Sequence, residues 1–308
     1  MADRTGAGTT SEAAEPGGRV RAFLRLVVIE HSVFALPFAY LATLTAMWQY
    51  GGRVRWDTLV VITVAMVGAR TFAMAANRII DRHVDAQNPR TAGRELVTGV
   101  VSLRTAWWGA VAALLVFLGA AALLNPLCLV LAPVAVVPLV VYPYGKRFTD
   151  YPHAILGLAQ AVGPAGGWLA VTGSFDGSLP AAVLSVAVGL WIGGFDLIYA
   201  CQDVAVDRRI GVRSVPARFG VAAALRASTV GHIVTFGLFV WFGGLLGLGW
   251  LWWVGLALAA VAFGYEHWIV RPDDLSRVNR AFFTANGFVG IALFGFAVAD
   301  LVLLQGLR

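Results

Sequence analysis

Nine stretches of this 308-residue chain are apolar over about the 17 to 25 residues that a bilayer-crossing helix needs. They fall near 23–48, 58–80, 104–124, 126–143, 152–172, 181–202, 222–246, 248–270 and 281–304. A bilayer leaves helices as the natural form for such runs, so the expected fold is an all-α, multi-pass membrane protein of nine transmembrane helices. With 59% hydrophobic and 13% charged residues, the chain treats lipid as its solvent. The 35 glycines suit helices that approach one another closely. Two of the cuts rest on short signals, Asn125-Pro126 and the Gly-Leu-Gly at 247–249. Residues 1–18 are polar with no apolar centre and read as a disordered tail, leaving 19–308 as one transmembrane domain whose first helix acts as the insertion signal. Cys128 and Cys201 lie on different apolar segments without ligand or disulfide spacing and read as small buried hydrophobes.

The net charge of +6 could suggest nucleic acid, but the placement of the basic residues says otherwise. Counting alternate connections from the N-terminal side, 20 of the 23 Lys and Arg residues fall on one face; Arg53, Arg55 and Arg308 fall on the other. Basic residues stay cytoplasmic, so the N-terminus is expected inside and the C-terminus outside. No nucleic acid is expected as a partner.

Two of the basic connections carry more than topology requires. The stretch NRIIDRHVD, Asn77 to Asp85, ends the second apolar run, and YACQDVAVD, Tyr199 to Asp207, ends the sixth, 122 positions later. Asn77, Asp81 and Asp85 share one helical stripe, as do Tyr199, Asp203 and Asp207 if the helix continues. Like charges at this spacing repel, and near lipid desolvation adds to the cost, so a cation belongs between them. Carboxylates offered one or two at a time, with positions left for water and phosphate, suit Mg²⁺. Four aspartates beside arginine-rich loops therefore make a receptor for a metal-bound diphosphate. An ordinary wet helix end explains one such triplet but not two at matching offset. The same offset suggests two related four-helix halves plus one helix, with the ligand site between the halves.

NRIIDRHVD followed by RTAGREL, and YACQDVAVD followed by RSVPARFG, resemble the two signature regions of the UbiA superfamily of intramembrane prenyltransferases. The resemblance covers the membrane region, and IEHSVFALPFAY with FDLIYACQDVAVDRR look most like the 4-hydroxybenzoate polyprenyltransferase branch and its menaquinone-pathway relatives. One departure is Glu95, where many members carry proline. The resemblance implies Mg²⁺-dependent transfer of a polyprenyl group from its diphosphate to an aromatic acid, 4-hydroxybenzoate-like or dihydroxynaphthoate-like, in quinone biosynthesis. It implies that Asn77, Asp81 and Asp85 hold one Mg²⁺ and that Asp203 and Asp207 hold the other. Arg82, Arg90, Arg94, Lys146, Arg147, Arg208 and Arg213 are then the candidates for phosphate oxygens; Lys146 is the only lysine in the chain.

An allylic cation needs a dry, electron-rich wall, and Tyr142, Tyr144 and Tyr199 are candidates for it by position. The acceptor must be polarised or deprotonated, and Arg25, Glu30 and His31 stand together just inside the membrane. Asp196, three residues before Tyr199, could orient the acceptor or take its ring proton. Asp150 and the Glu266-His267 pair are weaker candidates, a loop residue and a helix end.

A transporter using paired carboxylates for cation or proton coupling is the rival from another class, although no acidic path continues to the far face. A phosphatidyltransferase expects an Asp-x-x-Asp-Gly motif, which is absent. Within the superfamily, haem, chlorophyllide and lipid-ether acceptors share the same metal site. Arginine in place of lysine fits a GC-rich bacterial genome, so a bacterial cytoplasmic membrane with the active site facing the cytoplasm is the expected location. The length of the prenyl chain and the oligomeric state leave no trace in the sequence.

Overall fold

The computed structural model describes residues 32–308. The tail 1–18 and the candidates Arg25, Glu30 and His31 lie outside the described residues. Among the described residues the fold is all-α, with one isolated bridge between Arg271 and Asp274. The helices are α1 Ser32–Gly51, α2 Trp56–Asp85, α3 Leu103–Leu124, α4 Pro126–Phe148, α5 Pro152–Thr172, α6 Leu179–Ala200, α7 Val204–Ile210, α8 Val215–Phe219, α9 Val221–Leu246, α10 Trp250–Ile269, α11 Val278–Arg280 and α12 Asn286–Leu303. A 3₁₀ turn, Cys201–Asp203, joins α6 to α7, and a π turn, Ala281–Ala285, joins α11 to α12.

Seven segments among the described residues are long and apolar enough to cross a membrane: α2, α3, α4, α5, the run Leu179–Ile210, α9 and the run Val278–Leu303. The expectation of nine thus meets seven by this measure. Helix α10 falls short because its four tryptophans, Glu266 and His267 lower its hydropathy.

Local chemistry sets the boundaries. Asn125 makes the α3–α4 corner: its side chain accepts from Cys128 N at 2.9 Å, and Pro126 follows at the first helical position. The Asn125 amide also donates to Leu169 O at 2.9 Å, which ties this corner to the end of α5. The α9–α10 cut is made by Gly247 at φ +60°, a left-handed position that favours glycine. Helix α2 ends just before Asn88-Pro89, since a residue preceding proline is pushed out of the helical region.

Helix α2, with 30 residues, is about 45 Å long and outruns the roughly 30 Å hydrocarbon core. Its first residue, Trp56, is 73% exposed, as suits an interfacial tryptophan. The far end carries Asp81 and Asp85.

Packing between the helices is close and rich in small residues. Ala75, Ala76, Ala106, Ala110 and Ala113 form much of the core shared by α2 and α3. The larger core is aromatic, with Trp168, Trp191, Trp252, Phe38, Phe239 and Phe242 fully buried. Helices α5 and α6 meet at Gly157 and Gly189, where a Cβ on Gly157 would press into the Gly189 carbonyl oxygen. Gly157→Ala should therefore cost about 1–3 kcal/mol by overpacking. Gly166→Ala on the same helix meets nothing within 4 Å and should be neutral or slightly stabilising. Thermal unfolding of the two variants in one detergent checks the contrast.

Candidate active site

The first motif keeps its stripe. Asn77, Asp81 and Asp85 follow one another along the continuous α2, and Asn77 Nδ2 donates to Asp81 Oδ2 at 3.4 Å. Asp81 is 1% exposed and Asp85 is also buried. Two buried carboxylates one turn apart need cations, and the chain supplies them from two directions. Lys146, at the end of α4, sets its Nζ 2.6 Å from Asp81 Oδ2, and Arg94, in the loop after α2, sets Nη1 2.6 Å from Asp85 Oδ1. Arg147 Nη2 lies 3.6 Å from Asp81 Oδ1 and donates to Ile80 O at 2.7 Å. Asp81 Oδ1 is left buried without a hydrogen bond among the described residues.

The second motif departs from expectation. The stripe of Tyr199, Asp203 and Asp207 is not one continuous helix, because α6 ends at Ala200 and the 3₁₀ turn intervenes before α7. This turn carries Asp203 to the loop of the first motif. Arg90 grips Asp203 with both arms of its fork, Nε to Oδ1 at 3.0 Å and Nη2 to Oδ2 at 2.5 Å, and its Nη1 donates to the Tyr199 hydroxyl at 3.1 Å. Asn88 Nδ2 donates to Asp203 Oδ1 at 3.0 Å while Asn88 Oδ1 accepts from Arg90 N at 2.9 Å. Burial works against the Arg90 charge, but the Asp203 carboxylate outweighs it and holds the guanidinium above its ordinary value.

Asp207 is buried and accepts from Ser214 Oγ at 3.3 Å. The charges of Lys146 and Arg90 reach it too, so the four aspartates and their cations form one electrostatic unit. Backbone bonding reinforces the junction, since Arg213 N donates to Lys146 O at 2.9 Å. Beside Asp207 lies a cavity of about 410 Å³ whose lining includes Arg208, Arg213, Arg218 and Asp150. Arg213 is engaged there by Asp150, 2.9 Å from its Nε, and this hydrogen bond holds the Asp150 carboxyl below the usual carboxylate range. Arg208 donates its Nε to Ala217 O at 2.8 Å.

Of the seven basic residues expected at the site, Arg90, Arg94, Lys146 and Arg147 meet the aspartates. Arg208 and Arg213 stand at the neighbouring cavity. Arg82 forms no ion pair with an aspartate among the described residues. One position on from Asp81, it lies about 100° round the helix from the stripe.

Asp196 is joined by a residue the sequence did not flag. His153, in the first turn of α5, places Nδ1 2.6 Å from Asp196 Oδ2, and its buried Nε2 has no hydrogen-bond partner among the described residues. The charges of both Asp196 and Asp81 reach the phenol of Tyr142. Tyr199 packs against Phe282 with ring centroids 4.3 Å apart. Tyr144 is 46% exposed, and the Arg147 guanidinium lies over its ring, 5.2 Å from the centroid. Asn88, Ser214 and His153 are the three site residues that sequence reasoning missed.

Known proteins share this sequence pattern and fold. The model of the UbiA prenyltransferase family matches residues 35–288. A 4-hydroxybenzoate octaprenyltransferase of Cupriavidus necator is 34% identical over 290 residues, covering 91% of this chain and 98% of its own. One from Pseudomonas aeruginosa is 31% identical over 282 residues, covering 91% and 94%. Among solved structures, an apo UbiA homolog from Aeropyrum pernix superposes with a TM-score of 0.75 at 32% identity, covering 89% of this chain and 98% of that one. A UbiA homolog from Archaeoglobus fulgidus bound to DMAPP and Mg²⁺ shares the fold, with a TM-score of 0.71 at 18% identity over 92% of this chain and 100% of that one.

Proposed function

The chain belongs to the UbiA prenyltransferase family and is an integral membrane prenyltransferase, and from that premise we propose that it moves a polyprenyl group from its diphosphate to a 4-hydroxybenzoate-like aromatic acid in quinone biosynthesis. The observation that carries this reading is the convergence of two acidic motifs, each aspartate matched to a nitrogen or hydroxyl donor, with Arg90 and Asn88 spanning the gap. The names of the relatives support the acceptor class.

We read all nine long helices as spans in two related four-helix halves plus one, with the N-terminus and the acidic ends at the cytoplasmic face. The clustering of basic residues supports that orientation.

The donor set fits Mg²⁺: hard oxygen ligands, an amide at Asn77, and a buried Asp81 oxygen lacking any hydrogen bond. Asn77, Asp81 and Asp85 would hold one ion, and Asp203 and Asp207 the other. Bound there, the metal stabilises the negative charge that grows on the departing diphosphate. Lys146, Arg90, Arg94 and Arg147 pair with the carboxylates, and they are proposed to turn to the phosphate oxygens of the substrate. Arg208 and Arg213 would act from the rim. Tyr199 and Tyr142 offer ring faces to an allylic cation. Arg25, Glu30 and His31 are proposed to bind or polarise the acceptor, on the sequence alone. The Asp196–His153 dyad is proposed to take the ring proton, which must leave for aromaticity to return.

Purified protein in detergent, given geranyl diphosphate with either 4-hydroxybenzoate or a dihydroxynaphthoate, should form product with Mg²⁺ and none with EDTA, and 4-hydroxybenzoate should be preferred. Preference for the naphthoate would move the acceptor to the menaquinone branch. Failure of both acceptors with intact diphosphate binding would overturn the aromatic-acid reading.

A further inference from the structure

Helices α6, α9, α10 and α12 enclose a second polar cluster, in sequence far from the aspartate motifs. His232, Glu266 and Asn286 are buried in it and His267 is half-buried. Glu266 is 0% exposed, and its Oε2 has no hydrogen-bond partner among the described residues. A carboxylate so placed demands an explanation, and the surrounding bonds supply a constraint.

Each imidazole has one nitrogen committed. His232 Nε2 lies 3.2 Å from the Trp191 carbonyl oxygen, which can only accept, so Nε2 carries the proton and Nδ1 presents a lone pair. The Thr229 hydroxyl gives its proton to Leu225 O at 2.9 Å, so it can only accept from His267 Nδ1 at 3.2 Å. His267 Nε2 therefore also presents a lone pair. These two nitrogens stand 3.0 Å apart, with Glu266 Oε2 3.4 Å from His232 Nδ1. With Glu266 ionised, three acceptors converge with no donor among them.

The carboxylate is aimed into this point from behind. Asn286 Nδ2 donates to Glu266 Oε1 at 2.6 Å, and its amide is oriented by the Trp191 indole N–H, which gives to Asn286 Oδ1 at 2.7 Å. Asn286 also donates to Ala281 O, across the π turn Ala281–Ala285. Such π bulges occur often at functional sites because they re-aim a side chain.

We propose that His232, Glu266 and His267 form a site for a divalent transition metal of the zinc class. Ligands at about 2.0–2.1 Å around a tetrahedral centre stand roughly 3.3 Å from one another, close to the edges of 3.0 and 3.4 Å seen here. All three ligand atoms lie within 4.8 Å of one another. Two imidazoles and one carboxylate select this class over the Mg²⁺ suited to the aspartates. Trp191 O, Thr229 and Asn286 orient the ligands as outer partners do in such sites.

The test uses the full chain in detergent, stripped with chelator, in an Asp81→Asn/Asp203→Asn background so that the aspartates do not contribute. Titration with Co²⁺ should give the visible absorption of a tetrahedral ion, saturating at about one equivalent per chain, and Zn²⁺ should abolish it. Thr229→Val, nearly isosteric, should weaken Co²⁺ binding about 10–100-fold, with Thr229→Ser restoring it. His267→Ala should remove the bands. A folded protein that shows no saturable bands, or bands indifferent to Thr229→Val and His267→Ala, overturns the site and leaves a shared proton between the two histidines. Neither result depends on prenyl transfer, so the proposed reaction and this site stand or fall separately.

Discussion

Alanine in place of Asp81 or of Asp203 is expected to lower prenyl transfer about 10³-fold or more, with the dependence on Mg²⁺ lost alongside the rate. Removing one preorganised group that faces a developing oxyanion costs about 10²–10³-fold. These carboxylates do more than that, because each also places the cations around it. Asp81 holds Lys146 and Arg147, and Asp203 holds Arg90 and Asn88. The loss must be separated from unfolding. Removing one partner of a fully buried ion pair costs about 3–5 kcal/mol, but Lys146 is about a quarter exposed and water screens its charge, so the cost here is smaller. Asp81→Asn keeps the volume and can still accept from Lys146 while giving up the negative charge. It should match Asp81→Ala in rate and the wild type in unfolding midpoint. Near wild-type turnover in either alanine variant would remove the acidic motifs from the reaction.

How much of this was legible in the sequence depended on whether the information was local. The stripe of Asn77, Asp81 and Asp85 follows from helical period alone, and α2 keeps that period through Asp85. The second motif has the same spacing but a broken helix. No glycine or proline in YACQDVAVD marks the 3₁₀ turn, and Asp203 is tied to Arg90 and Asn88, 113 and 115 positions away. Arg82, next to Asp81 in sequence, lies off the stripe of the aspartates, since adjacent residues do not share a face. Asn88 and Ser214 were readable as a pre-proline turn and a helix cap, Ser214 accepting from Ala217 N at 3.3 Å. Their contacts to Asp203 and Asp207 appear only when the loops fold together. His153 carried no signal, because nothing local pairs it with a carboxylate 43 residues on. Glu266 and His267 looked like a polar helix end, and their meaning depends on His232 arriving from α9.

Asp196→Asn is expected to slow turnover about 10²–10⁴-fold, the range for loss of a general base. Asparagine preserves size and can accept from His153 Nδ1, but it cannot accept the proton of the ring. Asp196 stands clear of the ion pairs that hold Asp81, Asp85 and Asp203, so binding of the prenyl diphosphate should be little changed. Kinetics on an acceptor deuterated at the prenylated ring position separates the roles. If the dyad takes the proton, ring C–H cleavage becomes rate-limiting in the variant and a primary isotope effect emerges that the wild type lacks. If Asp196 only orients the acceptor, KM for the acceptor rises and the isotope effect stays absent. His153→Gln distinguishes the partners further. His153 Nε2 is buried without a hydrogen bond, so the imidazole contributes through Nδ1, by holding the Asp196 carboxylate in place. Its loss should cost less than that of Asp196, because a misplaced carboxylate still accepts a proton and an amide does not.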